Sequence, residues 1–200
     1  MWLRLNKLIK PNGAIVLFGS EPFSSALRMS NIKNYKYDWK WLKNTCTGTS
    51  QSRYMPMKNY EDVLIFYKSK PTFNKQKTIT KSQHIYNCAE KGLTRKINTK
   101  TEHNSMGGYC GGDFKKEVNP RMIIENINTV NNRSKSRVHQ TQKPVTLMEY
   151  LVKTYTNEDD TVLDFTMGSG TTAVACENTN RGWICIEQEE KYCEIHKNRL

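Results

Sequence analysis

Val162-Leu163-Asp164-Phe165-Thr166-Met167-Gly168-Ser169-Gly170-Thr171-Thr172-Ala173 is the stretch on which the fold turns. Thr161 to Asp164 reads as a short strand, and residues 171–179 read as a helix. Glycines at a strand-to-helix turn let the backbone approach a ligand closely, because no Cβ stands in the way. Asp164, at the strand tip, can counter a cationic group or accept its hydrogen bonds. Trp183 to Glu187 reads as the next strand, and Glu187 ends it where an acidic residue in such folds holds ribose hydroxyls. Strand, glycine loop, helix, strand and acid together predict an α/β, Rossmann-like unit with a seat for a nucleoside-bearing ligand. A tight turn with incidental glycines is the plainer alternative, and the two acids in this context weigh against it.

Working outward, Pro144 opens a helix with apolar positions Val145, Leu147, Met148, Leu151, Val152 and Tyr155, and 189–199 forms a last helix. At the other end, residues 2–10 carry Leu5, Leu8 and Ile9 at helical spacing. Pro11-Asn12-Gly13 is a turn, and Ala14 to Gly19 reads as a fully buried strand. Pro22 to Met29 suits another helix, Tyr35–Trp41 is strand-like, and Glu61–Tyr67 is a second buried strand closed by Lys68 to Pro71. From about 70 to 137 the chain turns polar and basic, is punctuated by Gly107-Gly108 and Gly111-Gly112, and shows no long periodic segment. The expected division is 1–69, 70–137 and 138–200.

The charge follows that division. The total is +12, from 31 Lys/Arg against 19 Asp/Glu. Residues 68–143 hold 16 basic against 5 acidic residues, whereas 144–200 hold 5 against 10. A cationic middle beside an acidic end suits a polyanion at the middle and different chemistry at the end. A lysine-rich solvated surface would give the same total. The six cysteines are scattered without a CxxC pair, no secretory leader is visible, and no apolar run approaches the ~20 residues of a membrane span. Reduced thiols in an intracellular protein are the natural expectation.

Gly168-x-Gly170-x-x-Ala173 also fits a dinucleotide fingerprint, so NAD is the rival cofactor. A dinucleotide loop has no need of an anionic side chain before its first glycine, whereas S-adenosylmethionine brings an ammonium and a sulfonium. With 13 residues after Glu187, the remaining strands come from upstream, and the strand order is permuted.

Three segments together resemble the permuted (β) class of exocyclic-amino DNA methyltransferases. They are Asp164 to Thr172, His139-Gln140-Thr141-Gln142-Lys143-Pro144 before it, and Ile186-Glu187-Gln188-Glu189-Glu190-Lys191-Tyr192 after it. Gly13–Gly19 is similar to the class's fifth-strand segment, and Met57–Tyr67 to the segment before target recognition. The basic stretch 70–137 falls where the class keeps its target-recognition region. The class usually has Asp-Pro-Phe at the loop's start, where this chain has Asp164-Phe165-Thr166. The resemblance implies S-adenosylmethionine as cofactor and double-stranded DNA as partner, with adenine N6 the commoner acceptor and cytosine N4 the other. It implies that Asp164, Phe165, Gly168, Ser169 and Gly170 cradle the methionine end. Thr171 and Thr172 would contact that end and cap the next helix, Glu187 would bind the ribose, and Lys143 and Pro144 would line the pocket from the other side.

The class also carries a tetrapeptide of the Asp-Pro-Pro-Tyr type, whose polar groups direct the amine at the methyl and whose aromatic stacks on a flipped base. The six prolines here are Pro11, Pro22, Pro56, Pro71, Pro120 and Pro144, and no two are adjacent. No catalytic residue is therefore assigned. The expectation is an amino-terminally incomplete methyltransferase, inactive alone, with a missing amino-terminal half as partner and the Ile15–Phe18 faces partly uncovered. A non-enzymatic DNA-binding remnant and an NAD-binding Rossmann fragment are the alternatives. His84, Cys88, His103 and Cys110 lack the usual zinc spacing, so no metal is expected. Tyr54, Tyr60, Tyr86 and Tyr109, interleaved with lysines, could stack on bases or sit in a lean core.

Overall fold

The Pro11-Asn12-Gly13 turn, closed by the Gly13 N–H on the Lys10 carbonyl at 2.9 Å, reverses the chain out of α1 (Trp2–Leu8) into β1 (Ile15–Gly19). The computed structural model describes residues 1–81, 115–130, 138, 139 and 141–199. After β1 come α2 (Phe23–Ser30), β2 (Tyr35–Thr47), a single 3-10 turn at Thr49–Gln51 and β3 (Lys58–Phe66). Then follow β4 (Thr78–Lys81), β5 (Lys115–Val118), β6 (Ile123–Ile124), α3 (Val145–Tyr155), β7 (Thr161–Asp164), α4 (Thr171–Glu177), β8 (Gly182–Cys185) and α5 (Glu190–Lys197). The described residues form two compact units, Lys77–Pro120 and the remainder.

In the larger unit β3 is the centre. It pairs antiparallel with β1 on one edge and β2 on the other, and β6 adds parallel to β2, giving the order β1-β3-β2-β6. Because side chains alternate across a strand, β3 feeds two layers. Val63 and Ile65 join Trp39, Trp41, Leu147, Leu151 and Tyr155 on one face, and Leu64 and Phe66 join Leu27 and Trp2 on the other. Burial on both faces explains why Val63-Leu64-Ile65-Phe66 is an unbroken apolar run, each residue with 0% exposure and contributing roughly 1.5–3 kcal/mol. The aromatic strand β2 is stitched to α3 through Tyr155, whose hydroxyl accepts the Trp39 indole N–H at 2.7 Å and bonds the Tyr37 hydroxyl at 2.8 Å.

Two expectations change here. The first strand is half-buried along Ile15–Phe18, in line with the partly uncovered faces expected there and not with a fully buried strand, because β1 is an edge strand that pairs only with β3 among the described residues. The second strand reaches Thr47, well past Trp41, with a register shift beyond Leu42 and its last four residues exposed.

The β3 run also contains an ion. Asp62 has 0% exposure, and its carboxylate accepts the Ser24 hydroxyl at 2.6 Å and the Lys40 ammonium at 2.6 Å. Beside it Arg28 is bonded to Asp38 at 2.7 Å and Glu21 at 2.6 Å. A buried carboxylate is tolerated when its lone pairs are taken up in this way.

β7 and β8 form a separate parallel pair, with Asp164 opposite Cys185 and α4 as the crossover. Helix α4 packs on α3, which joins this pair to the rest of the unit. Among the described residues β7 pairs with no strand but β8. Of the stretch 70–137, residues 121–130 belong to the larger unit: β6 pairs with Lys40–Trp41, and the Thr129 N–H and hydroxyl bond Asn44 Oδ1. The second unit contains the antiparallel β4–β5 pair, flanked by the exposed Lys77–Glu117 ion pair at 2.8 Å. His84, Tyr86, Cys88, His103, Tyr109 and Cys110 lie outside the described residues. No described helix is long and apolar enough to cross a membrane.

Candidate functional site

Asp164 is the last residue of β7, and the loop leaving it folds back onto its carboxylate. Oδ1 accepts the Thr166 N–H at 3.0 Å and Oδ2 the Thr172 hydroxyl at 2.5 Å. Glu187 stands two residues past the end of β8 rather than within a strand. One of its oxygens accepts the Gly168 N–H at 2.7 Å, and the other accepts those of Gln188 and Glu189 at 2.9 and 3.0 Å. These amide donors, that of Glu189 foremost, hold the Glu187 carboxyl below the usual carboxylate range. Both acids therefore grip one loop from neighbouring strand ends.

Met167, Gly168, Ser169 and Gly170 are buried, Phe165 is half-buried and Thr166 is exposed. Gly168 and Gly170 have φ of +56° and +77°, the left-handed region that an L side chain resists. At Gly170 space is decisive as well: a Cβ there would run into the His196 ring, with Cγ only 2.8 Å away. The loop is also tied across the strands, with the Met167 N–H on the Ile186 carbonyl at 3.1 Å and the Ile186 N–H on the Asp164 carbonyl at 2.8 Å.

The threonines do not cap the helix as expected. α4 starts after Gly170 without a side-chain cap bond, because the hydroxyls are used elsewhere. That of Thr172 goes to Asp164, and that of Thr171 accepts from Arg199 at 3.4 Å. Lys143 and Pro144 sit at the start of α3, where Pro144 is the N-cap. The Lys143 ammonium meets Glu61 of β3 at 2.5 Å and lies 4.8 Å from the centre of the Phe18 ring. Lys43 holds the other Glu61 oxygen at 2.7 Å. Burial pushes the Glu61 carboxyl up, but the two ammoniums outweigh it and leave it below its ordinary value. Among the described residues no hydrogen bond or ion pair joins Lys143 to Asp164, Glu187 or the loop.

Four residues around the loop carried no role in the sequence reading. The His139 ring packs on Tyr192 at 4.4 Å and faces Gly168. His196 and Arg199 back the loop from α5 and the residues after it. Tyr192 and His139 stand inside the quoted motifs, which was the available signal; His196 and Arg199 had none. Cys176 and Cys185, near the strand pair, are poor nucleophiles, burial pushing them up to about 11 and about 12. A hollow of about 300 Å³ lined by Asn6, Lys10, Pro11, Phe66 and Lys68, among others, shares no residue with the loop.

The two carboxylate acceptors suit a ligand with a cation at one end and hydroxyls at the other. Each carboxylate accepts two or three protein hydrogen bonds and has lone-pair capacity left.

Residues 1–198 match a family model described as a DNA methylase. The chain belongs to the DNA methylase family. The chain is 27% identical over 208 residues to the type II methyltransferase M2.LlaDCHI of Lactococcus lactis subsp. cremoris, covering 100% of its own length and 64% of that protein. It is 28% identical over 200 residues to M.HpaI of Haemophilus parainfluenzae, covering 97% of its own chain and 55% of that protein. It spans less than two thirds of the length of these relatives. Its structure matches the crystal structure of the M1.HpyAVI–SAM complex with a TM-score of 0.64 at 28% identity, over 100% of this chain and 80% of that one. The PvuII DNA methyltransferase (cytosine-N4-specific), at 17% identity and a TM-score of 0.60, shares the fold over 96% of this chain and 64% of that one. The chain thus has the α/β, Rossmann-like fold expected from the glycine loop.

Proposed function

We propose that this methylase uses S-adenosylmethionine to methylate the exocyclic amine of a base in double-stranded DNA, with adenine N6 as the acceptor. The observation that carries the reading is the placement of Asp164, at the tip of β7, and Glu187, just past the end of the adjacent parallel β8, both bonded to one glycine loop. A solved relative at 28% identity is a SAM complex, and the relatives in two bacteria are type II methyltransferases; both support it.

When bound, S-adenosylmethionine supplies a methyl group activated by its sulfonium. The chain's part is to hold and orient. Asp164 accepts hydrogen bonds from the methionine ammonium, and the backbone of Phe165, Gly168, Ser169 and Gly170 lines that end. Thr172 keeps Asp164 in place through its hydroxyl. Glu187 takes the ribose hydroxyls on its remaining lone pairs, and Lys143 and Pro144 close the β3 side, Lys143 steadied by Glu61. The basic stretch 68–143 supplies phosphate contacts, so DNA affinity falls steeply with salt. These 200 residues contain no adjacent prolines, so the Pro-Pro-aromatic element that would direct the amine is not among them. Transfer by these residues alone is accordingly weak.

Calorimetry tests the reading. The chain binds S-adenosylmethionine and not NAD; Asp164→Ala abolishes binding, and Glu187→Gln weakens it roughly 10-fold, the scale of one charge-assisted hydrogen bond. Binding of NAD, or S-adenosylmethionine affinity indifferent to both substitutions, would overturn it. Nucleoside analysis after incubation with DNA and labelled cofactor identifies the acceptor, and robust transfer by this chain alone would overturn the claim of weak activity.

A further inference from the structure

The glycine loop is held from the Asp164, Glu187 and Arg199 sides. Beyond α5, Arg199 turns its guanidinium onto the loop from behind. Nη1 donates to the Ser169 carbonyl at 2.6 Å and the Ser169 hydroxyl at 3.0 Å, and approaches the Thr171 hydroxyl at 3.4 Å. Ser169 and Thr171 are 3% and 6% exposed. No carboxylate lies within ion-pair distance of Arg199 among the described residues, and burial depresses its proton affinity. A half-buried cation is costly to keep, and among the described residues the side-chain hydrogen bonds of Arg199 go to the loop. His196, in α5, is 8% exposed, and neither ring nitrogen has a hydrogen-bond partner among the described residues. Its ring stands edge-on to Trp183 at 5.2 Å and fills the space against Gly170.

We infer that Arg199, with His196 beside it, is a positioning residue for the cofactor site: it fixes Ser169–Thr171 in the shape that receives the cofactor without touching the cofactor itself. The inference rests on the cofactor reading given above. Its physical basis is that a loop with two left-handed glycines loses much backbone freedom when ordered. Glu187 secures the Gly168 end only. Without the guanidinium, a buried carbonyl and two hydroxyls lose a charged donor, and the loop samples other shapes. Apparent cofactor affinity then falls with the fraction of loop in the receptive shape, although no ligand contact has been removed.

Arg199→Met keeps the side chain's bulk and removes its donors, and Arg199→Lys returns one donor. In the ligand-free full chain, deuterium exchange of the 166–172 backbone amides is expected to rise about 10-fold or more in Arg199→Met and to recover partly in Arg199→Lys. Calorimetry with S-adenosylmethionine is expected to show a Kd roughly 10- to 30-fold weaker for Met, with Lys between Met and the wild type. A role confined to global stability would lower Tm and leave loop exchange and Kd unchanged, and that result overturns the inference. Should Arg199→Met fail to fold, Arg199→Lys decides alone: intermediate loop exchange and Kd support the inference, and wild-type values for both overturn it. Failure of the wild-type chain to bind S-adenosylmethionine sinks the cofactor reading and with it the claim of cofactor positioning. The exchange comparison still reports whether Arg199 orders the loop, so the two failures are distinguishable.

Discussion

Gly170→Ala asks an alanine to hold φ of +77° and to place a methyl group where the His196 ring stands. The backbone part costs ~1–2 kcal/mol, since an L side chain in the left-handed region meets its own carbonyl. The steric part costs a further ~1–3 kcal/mol, typical of overpacking a filled site. His196 has little room to retreat, with Trp183 edge-on at 5.2 Å and its ring largely buried. The sum is about 3 kcal/mol, a fall in Tm of roughly 6–12 °C for a chain of this size. A double-mutant cycle separates the two parts. In a His196→Ala background the clash is gone, and Gly170→Ala should cost only the backbone part, leaving a coupling of ~1–3 kcal/mol. Urea or thermal denaturation of the four proteins measures it. A loss below 1 kcal/mol for the single substitution, or an equal loss in both backgrounds, would refute the packing argument.

Asp62→Ala should destabilise by roughly 2–4 kcal/mol, because Ser24 and Lys40 lose their buried acceptor; denaturant midpoints read this, and a loss under 1 kcal/mol contradicts it. Tyr155→Phe should cost about 1–2 kcal/mol by leaving the Trp39 N–H without its acceptor, whereas Tyr150→Phe, whose hydroxyl makes no such bond to the indole, should cost less. Burial first, and Arg199 second, lower the pKa of His196 below its ordinary value of 6.5. The folded chain thus binds fewer protons there than the unfolded chain. The stability difference between wild type and His196→Gln should be constant above pH 6.5 and should shift against the wild type as pH falls below it. A difference that does not change with pH between 7.5 and 5.5 contradicts this.

The features readable in the sequence were those set by local chemistry. Asp164, two glycines and a helix start are a local signal, and the structure places them at a strand tip, in left-handed turns and before α4. The apolar run of β3 and the helical spacing of α3 are equally local. What escaped depends on partners distant in the chain. Ile15–Phe18 and Val63–Phe66 look alike as sequences; the partly uncovered faces of the first were expected, but the central place of the second, between β1 and β2, is fixed by pairing alone. Asp62 gave no sign that its partners lie 22 and 38 residues away. Lys143 resembled a pocket residue, and its partner Glu61 is visible only once α3 lies on β3. Arg199 reaches the loop 30 residues upstream because α5 returns along it, a consequence of topology with no motif to announce it.

A crystal structure of the chain with S-adenosylmethionine tests the cofactor seat most directly. The account predicts cofactor density over Gly168–Gly170, the methionine ammonium within hydrogen-bond distance of Asp164, and both ribose hydroxyls on Glu187. Density in the hollow beside Asn6 and Lys68 instead, or a loop still covered with Asp164 and Glu187 bonded to protein groups alone, would contradict it.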